Sequence, residues 1–288
     1  MAKSKNGGSR AYIRGRIGSD VYSIGKNGKG EKQQVVRSLA ESVANPRSQS
    51  QMFGRMVMST VMQAVSTMSV IIDHSFDGMA KGQPSISEFI RRNYALVSAD
   101  AKAHPASGNS FGINKYQQKG ALAGAYQISA GTVVKPSAVF VNSKAITIGL
   151  TAGTLTVGGL KAALGLSADG YLTYCRLINT GEFNFFRAKL TTTLSDDTTI
   201  TADNVASLFT FEGNSAVTAS LSSNDIELAI ASTGQYNAYG VIVSELLDGA
   251  WKHSSCTLDA SDATLQSADT ALPTYPTANE QFLNGGDL

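Results

Sequence analysis

The runs Leu172-Thr173-Tyr174-Cys175-Arg176-Leu177-Ile178 and Phe183-Asn184-Phe185-Phe186-Arg187-Ala188-Lys189-Leu190-Thr191-Thr192, parted by Asn179-Thr180-Gly181-Glu182, set the character of the chain. Both are rich in aromatic and β-branched residues and are bounded by turn residues, the pattern of strands. The same texture extends outward on both sides. After His104-Pro105 the composition turns to Thr, Val, Ile, Ser, Ala and Gly, with few charges. Further strands are expected at 125–128, 132–134, 138–141, 145–150, 198–202, 216–221, 227–231, 238–244 and 253–258. Residues 157–166 read as a short helix or a loop. Many short strands with Gly, Asn and Asp between them indicate a sandwich-like or mixed sheet, not alternating βαβ units.

Upstream the period changes. From 46 to about 72, Phe53, Met56, Val57, Val61, Ala64, Val65, Met68 and Ile72 recur at steps of three and four, one apolar face of a long helix. Asn45-Pro46 supplies its start, with Asn capping and Pro where a missing N–H is harmless. Met52, Met56, Met58, Met62 and Met68 are read as core on that helix. A second helix, 85–102, is expected to open on a Ser85/Glu88 capping box after Gln83-Pro84. The loop around Asp77-Gly78 would join the two as an antiparallel pair.

The first residues, MAKSKNGGSR, carry no apolar run behind their positive charges, so no signal peptide is expected. Strands at 11–17, 21–24 and 33–39 then form a hairpin whose tip, Gly25-Lys26-Asn27-Gly28-Lys29-Gly30, is basic. That tip lacks the GxxxxGK[ST] spacing of a phosphate loop and joins strands, so no helix N-terminus faces an anion there.

The chain has 288 residues, 42% hydrophobic but only 16% charged, against about 25% charged in typical domains. A surface so poor in charge suits a subunit covered by neighbours. The net charge of +2 hides an asymmetry. Residues 1–60 hold eleven Lys and Arg against three Asp and Glu, a balance of +8, and residues 61–288 hold a balance of −6. Arg10, Arg14, Arg16, Lys26, Lys29, Lys32 and Arg47 are the candidate assembly contacts, able to meet the acidic body of a neighbouring copy or the phosphates of DNA. Arg47 at a first helical turn faces the positive end of the helix dipole, so a carboxylate from another subunit is its natural partner.

Catalytic chemistry finds little support. His74, His104 and His253 are the only histidines, and none sits in a GxSxG, HExxH or CxxC context. Asp196-Asp197, between Thr and Ser runs, reads as a hairpin turn, and Asp225 with Glu227 as one face of a strand without the DxDxDG pattern of a cation loop. Cys175 and Cys256 belong to no zinc or disulfide framework and are expected to be reduced and buried in strands. No catalytic residue, cofactor, metal, membrane segment or small-molecule substrate is expected.

Five stretches carry resemblances. Gly15-Arg16-Ile17-Gly18-Ser19-Asp20-Val21-Tyr22-Ser23, then Val36-Arg37-Ser38, then Asn45-Pro46-Arg47-Ser48-Gln49-Ser50-Gln51 resemble an uncharacterised family of Bacteroidetes and their phages. Gly240-Val241-Ile242-Val243-Ser244 followed by Asp248-Gly249-Ala250-Trp251-Lys252-His253-Ser254-Ser255 is similar to a strand pair of structural proteins in crAss-like gut phages. The resemblance implies a virion protein, a ring or tail component or a capsid-associated one. The expected partners are copies of itself and portal, tail or capsid components, with phage DNA as the alternative partner of the basic arm, and synthesis is expected in the host cytoplasm.

The expectation is therefore an α+β, β-dominated chain: a basic N-terminal arm and hairpin (1–44), a helical pair (45–105), a β-rich, sandwich-like or mixed-sheet domain (106–258) and an extended C-terminal arm (259–288). The expected role is a subunit of a symmetric ring or lattice in the tail or head-to-tail region. The alternative is a head fibre or decoration protein that binds host glycans through Trp251 with Tyr171, Tyr174, Tyr236 and Tyr239.

Overall fold

The computed structural model describes residues 3–4, 13–26, 31–39, 49–103, 124–153, 155–167, 169–178, 182–191, 194–230 and 236–260. The chain divides into two compact units, Met1–Pro46 and Arg47–Leu288. The fold is α+β and β-dominated, with the N-terminal strands first and the helices next.

In the first unit β1 (Lys3–Ser4), β2 (Ile13–Ile17), β3 (Asp20–Lys26) and β4 (Lys32–Ser38) form an antiparallel sheet in sequence order. The β2–β3 turn needs Gly18, whose φ of 59° is a left-handed conformation that costs other residues a clash. None of the described side chains of this unit is buried.

The second unit is built on one central strand. β8 (Tyr171–Ile178) lies in a five-stranded antiparallel sheet between β9 (Phe183–Leu190) and β13 (Tyr236–Leu247), with β10 (Phe209–Gly213) and β14 (Ala250–His253) at the edges. From Leu172 to Ile178 every residue of β8 is buried, because both faces of the sheet are covered. That is why its sequence does not alternate between apolar and polar residues, and why even Thr173 and Arg176 are buried in it. On one face Cys175, Leu177, Phe183, Ala238 and Ile242 join a core with α1 (Gln49–Ile72) and α2 (Gln83–Ala103). On the other, Leu172, Tyr174, Phe186, Ala188, Val241 and Val243 meet a four-stranded sheet and a short helix. That sheet is β6 (Val139–Val141), β7 (Ala145–Gly149), β11 (Val217–Ser222) and β12 (Asp225–Ile230), and the helix is α3 (Val157–Leu164). β5 (Gln127–Ser129) and β15 (Cys256–Thr257) pair separately.

The helical pair docks through satisfied polar contacts. Asn93 on α2 is 1% exposed, and its side-chain amide donates to the Gln127 carbonyl (2.9 Å) while accepting from the Gln127 amide (2.8 Å). It acts as a strand partner for β5, so the buried amide is not left without bonds. Ser129 Oγ is within 2.8 Å of the Ser75 carbonyl and 2.7 Å of that of Ser254, tying the end of α1 to the sheet.

The structure departs from several expectations. Residues 132–134 and 198–202 are not strands, since Val133 and Thr199 make only isolated bridges to Ser254 and Thr156. β10 was not anticipated, and the run 253–258 breaks between β14 and β15. There is no capping box on α2: the helix starts at Gln83, Ser85 Oγ donates to the Ala80 carbonyl (2.9 Å), and Glu88 is held by Arg91 and Arg92 (2.6 and 2.7 Å). Residues 157–164 are helical, capped by Thr156, whose Oγ1 accepts from the Gly159 amide, and closed by Gly165 at φ 58°. The methionines do not share one face: Met56 and Met68 are core, but Met58 and Met62 are 41% and 44% exposed. Phe53 is only partly buried, under the Lys102 ammonium. α1 is, by length and composition, able to cross a membrane, although half of that stretch is buried within the fold. The helix start at 45–48, His104 and the tail beyond 260 lie outside the described residues.

Cys175 and Cys256 are free, reduced and buried in strands, as their sequence setting implied. Burial pushes both thiols up, Cys256 to about 12 and Cys175 well above its ordinary value. Neither forms a thiolate at neutral pH. In the native protein a maleimide or dithiobis-nitrobenzoate reagent will label neither thiol on the time scale on which both react in denaturant. Rapid native labelling of both would contradict the packing.

Candidate functional site

Of the basic residues singled out by sequence, the sheet places Arg14 as the register partner of Lys3, and Arg16 as that of Val21. Val21 is in turn the partner of Arg37 on β4, so Arg16, Val21 and Arg37 form one row across three strands. Arg37 was not among the residues chosen from sequence, because only the register reveals it. Arg16 spends its Nε on the Gly18 carbonyl (2.9 Å). Lys32 is the register partner of Lys26. Residues directly opposite share a face and successive residues alternate. Lys32 (opposite Lys26) and Arg16 (opposite Val21) therefore belong to opposite faces, and the basic segment is not one patch. Arg10, Lys29 and Arg47 lie outside the described residues.

A second arrangement lies in the other unit, where the five-stranded sheet extends beyond the helices. Register runs Thr210, Lys189, Tyr171, Ser244, His253 in one row across all five strands. Glu212 is the partner of Arg187 in the adjacent row. Apart from the buried Ser244, these side chains, together with Trp251, Asp169 and His74, line a cleft of ≈ 400 Å³. Trp251 is 43% exposed and stands 5.1 Å from the Tyr171 ring, tilted by 56°. The Arg187 guanidinium lies 5.7 Å from the centre of the same Tyr171 ring. Lys189 Nζ is 3.0 Å from Asp169 Oδ1. Two cations and two carboxylates thus surround an aromatic pair, without a net charge of either sign.

The wall of the cleft is fixed by Asp77 in the loop between α1 and α2. Its Oδ1 accepts from the His253 amide (2.8 Å) and its Oδ2 from the Thr132 amide (3.0 Å). Gly131 has no room for a side chain, since a Cβ there would stand 2.6 Å from the Asp77 carboxyl carbon. His253 is 6% exposed and its Nδ1 is 3.0 Å from Ser244 Oγ. This is not a catalytic triad, because Ser244 is itself 2% exposed and Asp77 bonds the backbone of His253, not its ring.

Burial holds His253 below the ordinary imidazole value, with Asp77 opposing the shift and His74, Arg187 and Lys252 adding to it. A group with a depressed folded-state value binds fewer protons folded than unfolded, so stability is retained above the unfolded value and lost as pH falls. The thermal midpoint is expected to drop as pH goes below about 6.5, and His253→Gln is expected to lack that component. An unchanged pH profile in the variant would place the titration elsewhere.

Of the tyrosines proposed from sequence beside Trp251, Tyr171 alone is in the cleft among those whose side chains are described. Tyr174 and Tyr239 are buried on the opposite face, with hydroxyls bonded to the Asn142 carbonyl (3.0 Å) and to Asp259 (3.2 Å). The side chain of Tyr236 is outside the described residues. Asp196 and Asp197 do lie in a turn, closed by the Thr198 amide on the Ser195 carbonyl (3.0 Å), but it joins no hairpin: Asp196 sits beside α3, where its carboxylate meets Lys161 and its carbonyl accepts from the Gly158 amide. Asp225 and Glu227 lie on β12 opposite Gly149 and Thr147. Comparison of the chain with protein-family models, curated proteins and solved structures finds no match.

Proposed function

We propose that the protein is a structural subunit of a bacteriophage particle, assembled in a symmetric ring or lattice of the tail or head-to-tail region. The observation that carries this reading is the N-terminal unit. Its four strands bury none of their described side chains, and Ile17 and Val36 stand 49% and 51% exposed. A sheet of this size gains stability by packing a hydrophobic face on something else, and one exposed on both sides is incomplete by itself. Another chain that completes it is an assembly contact. The basic charge of the segment, the acidic balance of the remainder and the low charge of the whole chain support the same reading. So do the resemblance of residues 15–51 to an uncharacterised family of Bacteroidetes and their phages and that of residues 240–255 to structural proteins of crAss-like phages. The contact favoured here is with a neighbouring copy; DNA is the competing partner.

Mass spectrometry of purified particles separated into heads and tails tests the reading, together with sedimentation of the isolated protein. The protein should occur in the tail or neck fraction at a stoichiometry that fits a ring and sediment as a closed oligomer. A stable monomer absent from particles would sink the proposal.

A further inference from the structure

We infer that the cleft lined by Trp251, Tyr171, Arg187, Lys189, Asp169 and Glu212 is a binding site for a neutral saccharide, a function separate from assembly. The volume of ≈ 400 Å³ falls within the range of about 300–1,000 Å³ of small-ligand sites. Its chemistry selects among ligands. Trp251 keeps 43% of its surface open although it is the most apolar large group in the region, and the Tyr171 ring beside it is already in contact with Arg187. The open aromatic surface is therefore the indole. A pyranose ring offers such a surface an apolar C–H face, and aromatic side chains with a polar rim are suited to partners that are apolar on one side and wet on the other. Around its edge the sugar carries hydroxyls, each a donor and an acceptor. The cleft provides both kinds of partner: guanidinium and ammonium donors at Arg187 and Lys189, carboxylate acceptors at Asp169 and Glu212, and the Thr210 hydroxyl.

Other ligands fit less well. An inorganic anion would meet two carboxylates for its two cations, and Lys189 is already engaged by Asp169. A purely apolar ligand would strip water from four charged groups without replacing their hydrogen bonds. The cleft is also held in shape before any ligand arrives. Its floor is carried by one cross-strand row, from which Thr210, Lys189, Tyr171 and His253 line the cleft, and Asp77 anchors the strand that carries Trp251 and His253. Preorganisation of this kind reduces the ordering cost of binding.

The chain contains a single tryptophan, so its fluorescence reports on this cleft alone. The full-length protein is titrated with glucose, galactose, mannose, N-acetylglucosamine and fucose, with sodium sulfate as the anion control, and is applied to a glycan array. At least one sugar is expected to give a saturable emission change at millimolar concentration, with a matching signal on the array. Calorimetry on Trp251→Ala should show an affinity loss of about tenfold or more, and Trp251→Phe, which keeps an aromatic face, a loss within about threefold. Arg187→Gln should weaken binding about tenfold by removing charge-assisted hydrogen bonds. Both Trp251 variants should enter particles as the parent does. Three results overturn the inference: no sugar response together with an empty array, a sulfate response equal to that of the sugars, or a Trp251→Ala variant that binds as tightly as the parent. None of these bears on particle assembly.

Discussion

Val61→Asp is expected to abolish soluble folding. Val61 is 0% exposed on α1, in the core shared by Val57, Val65, Met68, Phe89, Val97 and Ile128. Losing the buried valine removes about 1.5–3 kcal/mol of apolar burial. The new carboxylate then escapes ionisation only by a pKa rise of about 3–5 units, each worth about 1.36 kcal/mol. Together these approach or exceed the whole stability of about 5–15 kcal/mol that a domain possesses. Val61→Ala sets the scale, because it removes methyl groups without introducing a charge and should cost only about 1–2.5 kcal/mol. The check is expression and thermal unfolding of both variants: the Asp variant insoluble or molten, the Ala variant folded with a lowered midpoint. A Val61→Asp protein that keeps the parent midpoint would mean that α1 presents a different face to the core.

That face was legible in the sequence because an α-helix has one period, set by its own backbone whatever it is buried against. Steps of three and four from Met56 to Ile72 select the residues that are buried, and Cys175 and Cys256 follow from the strand pattern by the same logic. The failures have a common physical origin, which is that a strand is defined by its partner. Residues 198–202 are rich in Thr and Ile but find no ladder beyond the Thr199–Thr156 bridge, whereas Phe209–Gly213 becomes a strand because Phe183–Leu190 offers an open edge. β-propensity describes fitness for a half-buried pleated surface and cannot supply that surface. The methionines of α1 failed for another reason: five apolar residues of one type were grouped by identity, although 56 and 58 lie about 200° apart on a helix.

The cleft was only partly legible. Trp251 and Tyr171 were selected as aromatic residues, but Tyr174 could have been rejected from sequence alone, since 171 and 174 differ by an odd number and point to opposite faces of one strand. Lys189, Arg187 and Glu212 were not visible as site residues, because the rows that unite them join strands from 171 to 253 and depend on registers that no local pattern encodes. The basic arm shows the reverse case. Its charges were plain in the sequence, yet their division between two faces, and the alignment of Arg16 with Arg37 across Val21, emerged only from the pairing.

Deleting residues 1–46 is expected to leave the body folded and to eliminate assembly. The division between the compact units falls after Pro46, and every residue of both apolar cores lies beyond it. Because no described side chain of the removed unit is buried, the truncation takes no packing from either core, and the thermal midpoint should remain within about 2 °C of the parent. The deletion removes nine Lys and Arg and three Asp and Glu, which turns the net charge from +2 to −4. Copies of the truncated chain then repel one another and lack the sheet that we propose completes the contact, so they should sediment as monomers and be missing from particles. Cutting at residue 32 is a poorer experiment, because it would leave β4 without the β3 strand against which it pairs. Salt gives an independent reading on the full-length protein. Attraction between exposed charges fades as the screening length shrinks from about 10 Å at 0.1 M to about 3 Å at 1 M, whereas burial of Ile17 and Val36 would not weaken. Assembly driven by the charge asymmetry should therefore dissociate as salt rises. A truncated protein found in particles at normal occupancy would reduce the N-terminal unit to solvated charge and remove the main support for the assembly reading.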